Sequence, residues 1–150
     1  FNNMASHKNM IDAADAKAKL EAGDQAIFLL EKGLAYYQGD YIPECRYEDW
    51  CETERERLRV LYLRGAERTA SLSLETSDWE RAIRWCEAIL RVDDCWEEAY
   101  RLLMTISYRQ NNRTLAIRWF EKCKQKLKEQ LGVQPMPATI ETYRQIVGEE

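Results

Sequence analysis

Ala82-Ile83-Arg84-Trp85 recurs as Ala116-Ile117-Arg118-Trp119, 34 residues later in a chain of 150. Beyond the four letters, Cys86-Glu87 aligns with Phe120-Glu121, Ser73 with Ser107 and Leu74 with Tyr108. A polar turn precedes each copy, Thr76-Ser77-Asp78 in the first and Asn111-Asn112 in the second. Self-similarity at this period marks a helix–turn–helix unit that stacks on copies of itself, because one unit cannot bury its apolar face alone. The chain therefore reads as all-α.

Working outward from the echo, apolar residues recur at helical spacing. Asp78 to Val92 carries Ala82, Ile83, Cys86, Ile89 and Leu90 on one stripe, with Asp78 as its cap. Thr114 to Leu131 repeats it with Ala116, Ile117, Phe120, Cys123 and Leu127. The first helices of these hairpins are Glu52 to Glu75 and Cys95 or Trp96 to Gln110. In the former, Leu58, Leu61, Gly65, Thr69, Leu72 and Ser73 form the expected stripe. Upstream, Asp12 to Ala22 is rich in helix formers, and Ala22-Gly23-Asp24 predicts a stop and a new start. Gln25 to Gln38 follows with Ile27, Leu30, Leu34 and Tyr37, and Phe28 and Leu29 predict burial on more than one side. Gln38 to Pro43 reads as a turn, 44–49 as a connector, and Trp50 as the side chain packing it down. Gly132, Pro135 and Pro137 stop the last long helix, and Ala138 to Val147 predicts a capping helix.

Composition narrows the function. The charge is −4, from 22 basic and 26 acidic residues, which argues against autonomous nucleic-acid binding. No run of about 18 apolar residues predicts a membrane span. Five cysteines with no CxxC spacing, and a single histidine, His7, do not make a zinc site, and reduced thiols fit a cytoplasmic protein. With no nucleophile–histidine pair outside His7, no P-loop and no GxGxxG, neither an enzyme, a cofactor nor a metal is expected. Phe1 to Asn9 reads as irregular and polar, so 1–10 is expected to be a disordered leader or expression remnant, and 11–150 one domain.

The 34-residue period is that of the tetratricopeptide repeat. The expected fold is a tetratricopeptide-like, right-handed stack of about three helical hairpins plus the short C-terminal cap. A closer resemblance covers about residues 25–147. Tyr36-Tyr37-Gln38-Gly39-Asp40, Glu48-Asp49-Trp50 with Glu54-Arg55-Glu56-Arg57-Leu58, Asp78-Trp79-Glu80-Arg81, Glu98 to Met104, and Leu127 to Pro135 fall in order. Together they resemble the bacterial transcriptional activator domain of antibiotic-regulatory-protein-type regulators. That resemblance implies a regulatory protein-interaction module in which DNA is bound only by a separate domain, absent from this chain. Partners would be other domains of the same regulator, RNA polymerase or a second copy. A free-standing tetratricopeptide adaptor and a small-molecule sensor are the alternatives.

Projecting the repeat predicts a groove on the first helices of the hairpins. Arg64, Glu67, Ser71 and Leu74 line it on one, with Glu98, Arg101, Thr105 and Tyr108 as their 34-residue equivalents. Such a mixed charged and aromatic groove suits a peptide or helix. Trp85 and Trp119, beside the core stripe, are candidate aromatic contacts, or else bridges between adjacent hairpins.

Overall fold

A computed structural model describes residues 20–35 and 49–148. Among them every regular element is a helix. Helix α1 spans 20–34, followed by α2 (Asp49–Glu75), α3 (Trp79–Val92), α4 (Glu97–Arg109), α5 (Arg113–Leu131) and α6 (Pro137–Val147). Local chemistry sets the ends. The Asp78 carboxylate accepts from Arg81 N–H at 3.2 Å to cap α3, and the Asn112 side chain accepts from Leu115 N–H at 3.1 Å to cap α5. Gly132 ends α5 with φ +65°, the left-handed conformation that glycine adopts without a Cβ penalty, and its N–H returns to the Lys128 carbonyl. Pro137 opens α6, where its missing N–H would have had no helical partner.

The helices form a tetratricopeptide-like stack. α2 pairs with α3 and α4 with α5, and α4 also packs on α2, α3 and α6. Alanines let the backbones close: Ala66, Ala70, Ala82, Ala99 and Ala116 are all completely buried. Around them Leu63, Cys86, Ile89, Leu102 and Leu103 make the main core. A second cluster, Met104, Ala116, Phe120 and Ile146, lies beneath α6, where the Phe120 and Tyr143 rings stack at 4.0 Å. Met104 stands where strict repetition would put an alanine like Ala70, and α6 supplies the apolar surface it needs. The core serine hydroxyls are satisfied within their own helices, Ser73 donating to the Thr69 carbonyl and Ser107 to that of Leu103, each at 2.7 Å.

Three expectations are corrected. The chain does not break at Ala22-Gly23-Asp24: α1 runs straight through them. Gly23 serves close approach instead, for a Cβ there would meet the Thr76 side chain at 3.2 Å. Gly65 does the same from the other side, against Leu34 at 3.1 Å, so α1 lies antiparallel along α2. Phe28 and Leu29 are 66% and 67% exposed, so α1 is buried on the Ile27 side alone. Leu61 is exposed too, and the buried stripe of α2 runs through Leu63, Ala66 and Ala70. The proposed turn at 38–43, residues 44–48 of the connector expected at 44–49 and the Trp50 side chain lie outside the described residues, as does most of the helix expected from Asp12, while Asp49 already belongs to α2. None of the described helices is long and apolar enough to cross a membrane.

Candidate functional site

Helices α2 and α4 bring most of the projected groove residues onto adjoining turns, but not as a free surface. Glu67 on α2 sits close enough to Glu98, Arg101 and Arg64 to feel all three charges. Burial pushes its carboxyl above the usual range and the neighbouring Glu98 carboxylate adds to this, against relief from the Trp96 indole, Arg101 and Arg64. The Trp96 N–H is buried without a hydrogen-bond partner, so its contact with Glu67 falls short of bonding geometry.

Glu98 and Arg101 are engaged elsewhere. The Arg101 guanidinium donates twice to the Glu98 carboxylate, and its Nη1 donates to Thr139 Oγ1 at 2.9 Å. Thr139, fully buried, donates in turn to Glu97 Oε1 at 2.7 Å, and that same oxygen accepts the Met136 N–H at 2.9 Å. This chain clasps the start of α6 to the start of α4. Thr105 is likewise turned inward, donating to the Arg101 carbonyl. Leu74 packs at the edge of the main core, Ser71 is half-buried, and Arg64 is exposed. Tyr108, 43% exposed, stands apart at the end of α4, with the Arg113 guanidinium 6.0 Å from its ring centre. The sequence reading missed Glu97, Met136 and Thr139 as a unit. Their partners are 38 to 42 residues apart, and no local periodicity links them.

Both tryptophans are half-buried. The Trp85 indole N–H donates to Glu31 at 3.0 Å, and Arg81 pairs with the same carboxylate at 3.2 Å, tying α3 to α1. Trp119 packs against all three buried clusters, including Tyr100 at 6.4 Å, while Lys122 lies over its face at 5.3 Å.

Asp93, Asp94 and Cys95 place three ligand atoms within 4.8 Å of one another between α3 and α4. Their atoms hold the loop together. Asp93 accepts the Cys95 N–H at 3.0 Å, and Asp94 accepts from Gln130 at 2.7 Å and faces Lys126 at 3.7 Å. Burial pushes the Cys86 and Cys123 thiols up to about 12, which keeps them protonated and unreactive.

Glu67 has a measurable consequence. Its folded pKa lies above the unfolded value, so the native state binds the proton more tightly. Stability therefore falls as pH rises from the unfolded value through the raised one. Glu67→Gln is expected to flatten that fall and to melt at or above the wild-type temperature at neutral pH. Thermal melts at pH 4 and pH 7 check it, and a variant that keeps the wild-type pH slope rules Glu67 out as its source.

Two comparisons with known proteins bear on this arrangement. A family model described as the bacterial transcriptional activator domain matches residues 5–147. The regulatory protein AfsR of Streptomyces griseus is similar over 137 residues at 28% identity, covering 90% of this chain and 14% of that protein. The chain thus spans about a seventh of the length of that curated relative. A helical stack of this order, matched almost from end to end, belongs to the bacterial transcriptional activator domain family.

Proposed function

We propose that this chain is a non-enzymatic protein-interaction module of a bacterial transcriptional regulator, presenting fixed helical surfaces to other domains of the regulator, to RNA polymerase or to a second copy. The observation that carries the reading is the family match across residues 5–147, in a chain equivalent to a small part of a much larger regulatory protein. The packing supports it. Alanine crossings and the α4–α6 clasp make a stack whose exposed side chains are held in fixed relative positions, which suits recognition without induced order. The module itself does not bind DNA in this reading, and it acts in the cytoplasm.

The test uses a regulator that carries this chain beside its DNA-binding domain. Breaking the stack with Ala82→Arg, which forces a charge into a completely buried site, should abolish activation of a reporter while promoter occupancy persists. The isolated chain should show no salt-sensitive binding in a fluorescence titration with promoter DNA. Unchanged activation by the variant, or salt-sensitive DNA binding by the chain alone, would overturn the reading.

A further inference from the structure

The two hairpin corners offer an internal comparison. Ser77 and Asn111 both adopt φ 60°. Asp78 N–H reaches the Ser73 carbonyl at 2.8 Å, and Asn112 N–H reaches that of Ser107 at 2.9 Å. Asp78 and Asn112 then cap the following helix in the same way. The backbone is one turn used twice, but its side chains differ in kind. The first corner carries Leu74, Glu75, Asp78, Trp79 and Glu80. The second has Tyr108, Arg109, Asn112, Arg113 and Thr114 in those places. Every acid is gone, even the capping carboxylate, and two arginines have appeared.

Helix-end electrostatics and ion pairing do not account for this change. Arg109 ends α4, where a cation suits the helix dipole, but Arg113 begins α5, where it opposes the dipole. The first turn of α5 holds no acid to offset it. Both arginines are exposed, and among the described residues neither pairs with a carboxylate. From Ala99 to Phe120 the sequence contains no Asp or Glu at all. Tyr108, Arg109, Asn111 and Arg113 line a cleft of about 530 Å³, and the half-exposed Tyr108 ring puts an apolar face beside the two guanidiniums.

We infer that this corner is a docking site for an acidic segment of a partner protein, with a carboxylate held between Arg109 and Arg113 and an apolar or aromatic neighbour resting on Tyr108. Guanidinium forks match carboxylates in bidentate pairs, whereas lysine does not. A duplex is the poorer fit. The cleft has the volume of a small ligand or a few residues rather than of a duplex, and a molecule of net charge −4 repels a long polyanion elsewhere on its surface. This inference rests on the protein-interaction reading above and names the partner chemistry at one of its sites.

The test selects binders to the whole chain from a displayed library of random short peptides. Enriched peptides should carry Asp or Glu beside an aromatic or apolar residue. Arg113→Glu should weaken the best of them by about tenfold or more, the loss of one charge-assisted pair. Arg113→Lys should fall between wild type and Arg113→Glu. Arg84→Glu, an exposed charge reversal on α3, should leave affinity unchanged. None of the variants should melt below wild type, because these side chains are on the surface, and Arg113→Glu, an acid in the first turn of α5, should melt at or slightly above it. Peptides that bind equally well to Arg113→Glu would sink the corner site while leaving the interaction reading intact, and an unenriched library would also overturn the site, with that reading decided by the reporter experiment. Duplex DNA held as tightly as peptide, or self-association lost in Arg113→Glu, would assign the corner to nucleic acid or to a second copy and overturn the proposal.

Discussion

Tyr100→Ala is expected to lower the unfolding free energy by about 3–5 kcal/mol, the range for removing a fully buried aromatic ring. Tyr100 is the largest of the completely buried side chains. Its ring fills the space among Cys123, Leu127 and Trp119, so truncation opens a cavity between α4 and α5. Its hydroxyl donates to the Asp94 carbonyl at 2.6 Å, which fixes the α3–α4 loop. Burial pushes the phenol above its ordinary pKa, so it remains a donor across the working pH range. For a domain whose total stability is of order 5–15 kcal/mol, the loss removes about a fifth or more. Tyr100→Phe separates the two contributions: it keeps the ring and removes one hydrogen bond, costing about 1–1.5 kcal/mol. Urea titrations followed by far-ultraviolet circular dichroism measure both. If the alanine variant unfolds at the same denaturant concentration as the phenylalanine variant, the ring is not a keystone of the hairpin.

Glu97→Ala is expected to cost about 1–3 kcal/mol and to release α6 before the rest of the stack. One carboxylate oxygen accepts both the Met136 N–H and the Thr139 hydroxyl. Without it the fully buried Thr139 loses its acceptor, and Arg101 is left donating to a hydroxyl that nothing orients. Apart from that Arg101 bond, the remaining hold on α6 is apolar, through Ile146 and the Phe120–Tyr143 stack. Amide hydrogen exchange is the direct readout. Protection should fall across residues 137–147 and persist in α4 and α5, the signature of a locally opening segment. Glu97→Gln keeps an acceptor oxygen and should retain most of the protection. Uniform loss across all helices would show that α6 is not a separately clasped unit.

How far the sequence could be read depended on the range of the interactions. The second helix of each hairpin, the Asp78 cap and the Gly132 stop were legible because each is set by neighbours three or four residues away, whereas Asn112, read only as a turn residue, caps α5 as Asp78 caps α3. The same holds for the start of the capping helix, marked by Pro135 and Pro137. Gly23 was misread because a glycine suits both a helix stop and a close helix crossing, and only the Thr76 methyl, just past the end of α2, distinguishes them. Leu61 and Leu63 are both apolar on a long helix, and which one faces inward depends on where α3 and α4 lie. The groove projection puts Glu67, Glu98 and Arg101 on facing helices, and in the structure Glu67 feels the charges of the other two. It overlooked α6, which takes up Glu98 and Arg101 through Thr139.

By itself the sequence determined the all-helical class, the 34-residue spacing of two hairpins and the family, since periodicity, capping residues and ordered motifs are properties of the linear chain. Tertiary structure decided which charged residues are internal and which are available. Arg101 and Arg113 lie 12 residues apart with the same side chain. One is bound into a clasp by a threonine from α6, and the other stands in the open beside Tyr108. A guanidinium carries the same charge in both places, and only the groups folded against it determine whether that charge is already answered.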